Sequence, residues 1–276
     1  MSVMNTKMLS LLAVVIAALL AGCSTVPITG RSQLILISSQ QEMALGVSEF
    51  DKVKQQSKIS KDPVWSPMLQ RIGQRISTVA PLPNAQWEFL LIDDPKTVNA
   101  FCLPGGKVSV YTGILPIAKD EGGLATIVGH EIAHAVARHG AERMSHGVIV
   151  QAGGAVINAA MQSRTEENRQ AFLSAYGLVS QVGVLLPYSR KQEYEADHLG
   201  VVYMARAGYD PHAAVGLWER FAAYSKQHPS TTPTFLRTHP VDEARIAQLQ
   251  KLMPDALKEY KNPQAPAAAP SNPLQR

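Results

Sequence analysis

Only two cysteines occur in 276 residues, and one of them, Cys23, lies at the end of an N-terminal apolar run. If Cys23 is modified there, Cys102 is left alone, and an internal disulfide is excluded as a source of stability. Cys102 is then expected to behave as a small buried hydrophobe. Charge is scarce too, with 17% charged residues and a net charge of +4 from scattered basic residues. That excludes the basic stripe of a nucleic-acid binder, so no nucleic-acid partner is expected. No apolar run is a convincing membrane span. Leu9 to Ala21 is short, Gln151 and Asn158 interrupt Val148 to Met161, and Ser174, Ser180 and Gln181 interrupt Ala171 to Leu186. There is no internal repeat. What the chain does have is 46% hydrophobic residues, enough for the core of one domain with tails.

The N-terminus reads as a targeting segment. Lys7 supplies a positive start, Leu9 to Ala21 the apolar stretch, and Leu20-Ala21-Gly22-Cys23 looks like a bacterial lipobox. The expectation is a signal peptide over 1–22, lipidation at Cys23 and membrane attachment through that anchor. An uncleaved anchor helix or a secretory signal that happens to hold a cysteine are the alternatives. Ser24, in place of an aspartate, resembles the sorting pattern for the outer membrane. The expected address is therefore the periplasmic side of a bacterial outer membrane.

After a lipidated N-terminal segment over 23–38, a domain is expected over 39–252, with a Pro/Ala-rich tail over 253–276. Helical spacing marks 39–56 and 63–80, the second through Met68, Leu69, Ile72, Ile76 and Val79. Trp87 to Ile92, Val98 to Leu103 and Lys107 to Thr112 read as strands, the last two joined by the turn Pro104-Gly105-Gly106. This predicts a small antiparallel sheet. Asp120 can cap a helix reaching Arg138. The apolar stretches 148–161 and 171–186 read as buried helices or as a flap over the active site, with charged 164–169 exposed between them. Helices are also predicted over 190–207, 211–226 and 241–252.

Within the capped helix stands His130-Glu131-Ile132-Ala133-His134. Residues four apart share a helix face, so both imidazoles can reach one ion, while Glu131 lies beside it and can hold a water. Leu124, Ile127, Val128, Ile132 and Val136 leave this helix little polar surface. Two histidines and a glutamate in such a helix are costly to bury unless something satisfies them, and a metal does. Ala137 and Gly140 stand where a metzincin needs glycine and histidine, so that subclass is excluded. His139 is off the metal-facing side. Glu193 is the better third ligand, with Asp197 four residues on as an acceptor orienting an imidazole. Glu195 points elsewhere and reads as solvated. The competing explanation for 193–197 is an ordinary charged helix turn.

These residues resemble the HtpX and CAAX-prenyl-protease family of gluzincin metallopeptidases, metallopeptidase family forty-eight, nearest its soluble bacterial lipoprotein (LoiP/BepA-like) branch without a repeat domain. The resemblance covers roughly 26–252. It is carried by Pro27 to Arg31 with Gln33-Leu34, Asn99-Ala100-Phe101 with Pro104-Gly105-Gly106, His130 to His134, Ser189-Arg190 with Glu193 and Ala196-Asp197, and Thr238-His239-Pro240 with Arg245-Ile246. It implies an α+β, mainly helical zincin-like metallopeptidase domain with a small antiparallel sheet. It also implies one Zn2+ per chain on His130, His134 and Glu193, with Glu131 as general base. It suggests that the strand Lys107, Val108, Ser109, Val110 and Tyr111 is an edge that binds extended substrate. His239 either approaches the open zinc position in a resting state or stabilises the oxyanion, unless it merely packs the loop.

The expected function is hydrolysis of misfolded or damaged envelope proteins. Two other classes are a chaperone or assembly factor using the same groove without cleavage, and a structural lipoprotein with an accidental motif. Intact Glu131 disfavours the former, since a pure binder has no use for a base beside a metal. Oligomeric state is not legible from these residues.

Overall fold

The computed structural model describes residues 23–162, 164–180, 186–229 and 232–260. The expected signal peptide 1–22 and most of the expected tail lie outside the described residues. The chain forms two compact units, one from the N-terminal residues to Gln41 with Arg138–Ser189, the other from Glu42–Ala137 with the residues from Arg190 on.

In the first unit, β1 (Cys23–Thr25) and β2 (Ser32–Leu34) pair antiparallel, with Cys23 opposite Leu34. The turn between them needs a left-handed backbone at Ile28 and at Gly30. The Arg31 guanidinium donates to both carboxylate oxygens of the fully buried Glu142, at 2.7 and 3.0 Å. Leu36 N–H donates to Ser145 Oγ at 2.9 Å, and Arg138 donates to the Ile37 carbonyl. These bonds tie residues 31–37 to α5 (His139–Ala160), which is followed by α6 (Glu166–Ser180). Beyond Ser145 the described side chains of this pair are half-buried or exposed, Val156 at 70% and Phe172 at 54% among them. The expectation of buried helices here does not hold: helical periodicity shows which residues share a face, not whether anything covers it.

The second unit is built around α4 (Glu121–Val136). Asp120 accepts from Gly123 N–H at 2.9 Å, and Glu121 in the first turn suits the helix dipole. Every residue from Gly123 to His134 is buried, so this helix is apolar nearly all round and forms the core itself. On it pack α2 (Trp65–Ser77), through Leu69, Ile72 and Ile76, and α8 (His212–Gln227). Helix α1 (Ser39–Gln56) buries Phe50, and the short α3 (Leu115–Ala118) leads into α4. The third-ligand helix is α7 (Leu186–Arg206), then come α9 (Thr234–Thr238) and α10 (Glu243–Glu259). The last extends past the expected end at 252, carried by Leu249, Met253 and Ala256 on one buried face.

The three-stranded sheet has the order β3 (Glu88–Ile92), β5 (Lys107–Tyr111), β4 (Ala100–Leu103). The hairpin β4–β5 is antiparallel as expected, whereas β3 runs parallel to β5. The α+β class stands, with a mixed sheet. The strand order also corrects the position of the edge: β5 is paired on both sides and cannot accept another strand, and of the two terminal strands β3 is bridged by residues 58–60, which leaves β4, on the side of α4. The hairpin turn is a local signal; the β3–β5 pairing is not.

Candidate metal centre

Three elements of the second unit bring the expected side chains together. α4 contributes His130, Glu131 and His134 from successive turns, α7 contributes Glu193 and Asp197, and His239 follows α9. His130, His134, Glu193 and His239 each offer one ligand atom, and these lie within 4.8 Å of one another. All four residues are buried. His130 Nε2 is 3.1 Å from His134 Nε2 and 3.2 Å from His239 Nδ1, while His239 Nδ1 is 2.9 Å from Glu193 Oε2.

Ring nitrogens that face one another at such distances repel unless a proton or a cation sits among them. Three imidazoles and a carboxylate form a donor set suited to zinc. The residues fit the metal. Asp197 Oδ1 lies 3.1 Å from His130 Nδ1, the nitrogen away from the cluster, and is placed to orient the ring. The two ligand helices approach closely because glycines meet where they cross: a Cβ on Gly200 would stand 3.1 Å from the His130 amide nitrogen, and one on Gly129 would stand 3.1 Å from the Gly200 carbonyl oxygen.

The electrostatics suit a cation. Burial opposes the charged form of His130, yet hydrogen bonds to Asp197 and Glu193 outweigh it and raise its pKa to about 9. Burial likewise opposes ionised Glu193, but His134 and His239 hold it well below the usual carboxylate range. Protons and metal therefore compete for the same atoms, and binding would release protons.

Glu131 differs from these. Burial pushes its pKa up, only partly offset by His239, by His130 and, least, by the backbone N–H of Cys102. Its Oε1 is buried without a hydrogen-bond partner, 3.4 Å from His239 Nε2. A carboxylate with a spare buried lone pair and a raised pKa is placed to accept a proton.

Some expected residues are placed differently. Glu195 is buried rather than solvated, and His139 is fully buried at the start of α5. In β5, Lys107, Val108, Ser109 and Val110 are buried and Tyr111 half-buried, all engaged in the sheet. Cys102 is half-buried in β4, and burial first, then Glu131, raises its thiol pKa far enough to keep it protonated.

Two residues of the site escape sequence reasoning. Arg245, in the first turn of α10, donates to both Asp197 oxygens at 2.6 and 2.9 Å. Trp218 of α8 lies edge-on to His130 and forms an aromatic column with Phe221 and Phe235, which ends against His239. Arg245 stands in the Arg245-Ile246 pair on which the sequence resemblance partly rests, and that was its one signal.

The profile of Peptidase family M48 matches residues 64–253 and so includes every one of these ligands. The chain belongs to peptidase family M48. Mitochondrial metalloendopeptidase OMA1 of Schizosaccharomyces pombe is 37% identical over 234 residues, 84% of this chain and 66% of that protein. Its Saccharomyces cerevisiae namesake is 31% identical over 269 residues, 89% of this chain and 75% of that protein. The β-barrel assembly-enhancing protease of Escherichia coli is 26% identical over 250 residues, 86% of this chain and 51% of that protein. The chain thus spans between half and three quarters of these relatives.

As an M48 member the chain is a metallopeptidase, and His130, His134, Glu193 and His239 form a group that could hold its metal. The comparisons overturn the expected address. Mitochondrial proteins of yeasts, a plant and vertebrates match at 30–37% identity, above the bacterial proteases at 26–28%. A lipid-anchored place on the periplasmic side of a bacterial outer membrane is therefore withdrawn. That expectation rested on a short local composition ending at Cys23, which carries no information from the catalytic unit. Among the described residues no helix is long and apolar enough to cross a membrane.

Proposed function

We propose that this chain is a zinc endopeptidase that cleaves extended segments of unfolded proteins. One observation carries the reading: the buried His130, His134 and Glu193 donors converge beside a glutamate, Glu131, that has an unused carboxylate oxygen. A zinc held by His130, His134 and Glu193 would supply polarisation of the peptide carbonyl and would lower the pKa of a water towards ~7. Glu131 takes that water's proton and passes it to the leaving amine. Asp197 keeps His130 in its ligand orientation throughout.

His239 Nδ1 lies among the ligand atoms, so this residue could hold the metal together with His130, His134 and Glu193, or leave that place to water and substrate. Substrate adds to β4. Residues Asn99, Phe101 and Leu103 face their β5 partners across the ladder, so the N–H and C=O of Ala100 and Cys102 point the other way, towards α4. The Cys102 backbone N–H and the Glu131 carboxylate are near enough to influence one another, which sets the edge and the base side by side. Binding through backbone suits unfolded clients of varied sequence. The bacterial relatives, named for β-barrel assembly as well as proteolysis, are consistent with clients of that kind.

Glu131→Gln tests the mechanism. It should lower the cleavage rate of unfolded casein by about 10²–10⁴-fold while stoichiometric zinc is kept. Cleavage at the wild-type rate would reject Glu131 as base. A zinc-loaded chain that binds casein and never cuts it would favour the holding function instead.

A further inference from the structure

Among the described residues Arg245 is the one buried arginine, 1% exposed. Removing a guanidinium from water costs several kcal/mol unless its donors and its face are satisfied. Here they are met from three elements at once. Nε and Nη2 grip Asp197 on α7, Nη1 donates to the Pro240 carbonyl at 3.0 Å and stands 3.2 Å from Glu193 Oε2, and the guanidinium carbon lies 3.6 Å from the centre of the Trp218 ring on α8. The backbone is held as well, since Arg245 N–H donates to the Asp242 side chain that caps α10. Pro240 follows His239 directly. One side chain therefore touches the carboxylate that orients His130, the ligand Glu193, and the peptide that carries His239.

We propose that Arg245 is the positioning residue of this metal centre: its fork fixes Asp197, and thereby His130, while its remaining nitrogen seats the His239 loop against Glu193. The inference rests on the zinc reading above. Charge makes a second contribution. Glu131, Glu193 and Asp197 put three carboxylates into one buried space, and Arg245 supplies a permanent positive charge before any metal arrives. A lysine could supply the charge but not the planar fork, which needs two donors on one carboxylate and a third turned to Pro240.

The test compares wild type, Arg245→Lys and Arg245→Gln as full chains. Zinc affinity is measured by competition with a chromophoric chelator, and the thermal midpoint is read with and without zinc. Trp218 emission is read against a Trp218→Phe control. Arg245→Lys should bind zinc about tenfold more weakly and Arg245→Gln about 100-fold, the range found when partners of metal ligands are removed. The zinc-induced rise in midpoint should shrink in the same order, and Trp218 emission should change in both variants. A general packing role predicts instead a lower zinc-free midpoint with zinc affinity unchanged. Arg245→Lys at wild-type zinc affinity overturns the proposal even if Arg245→Gln does not fold. Asp197→Asn is the independent arm: combined with Arg245→Lys it should add little to the worse single change, because both act through one contact, and full additivity would overturn the proposal. Wild type without zinc affinity would sink the metal reading itself, a result distinct from either.

Discussion

Glu88 stands between two lysines, with Lys107 buried beneath it and Lys54 at the surface. The hydrogen bond from Lys107 holds its carboxyl below the usual 4.5, against burial and with help from Lys54. A depressed folded-state pKa means stabilisation that is complete above the unfolded value and lost as pH falls through the folded one. Glu88→Gln should therefore lower the urea midpoint at pH 7, and the gap from wild type should close as pH is taken well below 4.5. A gap independent of pH would show that the ion pair contributes nothing. Lys107 also marks where sequence reading stops at this scale. Its place in a strand was legible from alternation; its burial under Glu88 was not, because the strand that supplies Glu88 pairs with it in parallel across a long separation. His130, Glu131, His134, Glu193 and Asp197 were legible as a group because each spacing lies within one helix. Arg245 and Glu195 were not, since a charged residue on a helix reads as solvated until a distant element covers it.

The crossing of α4 and α7 depends on Gly129 and Gly200, with no space for a side chain between backbone atoms on either side. Gly200→Val should destabilise the fold by about 1–3 kcal/mol through overpacking. It should also weaken zinc binding, because the displaced backbone carries His130 on one helix and, two turns away, Glu193 on the other. Urea titration and chelator competition measure the two effects, and a stable variant with intact zinc affinity would refute the close-crossing account. The edge strand makes its own prediction. A substrate that joins β4 uses alternate backbone N–H groups, so N-methylation along a cleaved peptide should raise KM at every second residue near the scissile bond. A flat response would exclude strand addition. Helices and the β4–β5 hairpin could be read from periodicity and turn residues. The strand order could not, and with it went the identity of the edge.

For the whole molecule, a metal that binds the folded chain alone stabilises it by mass action. At a free concentration of 1,000 times Kd this amounts to about 4 kcal/mol. Dialysis against a chelator should lower the thermal midpoint and abolish cleavage, and added zinc should restore both; a midpoint that ignores the chelator would argue against a metal coupled to folding. At this scale the sequence was legible for family and chemistry and not for address. The catalytic spacing is set by what a metal requires, whereas a short apolar N-terminus satisfies no constraint imposed by the site.

The boundaries of the two units fall just after His134 and just before Glu193. His134 and Glu193, the ligands nearest the junctions in sequence, therefore belong to one unit, and Arg138–Ser189 is an excursion of the chain between them. Loop-closure entropy grows only logarithmically, so doubling the length of that excursion would cost about 0.6 kcal/mol. Length changes within Arg138–Ser189 are therefore cheap in chain entropy, and they leave both ligand-bearing segments, His130–His134 and Glu193–Asp197, inside the second unit.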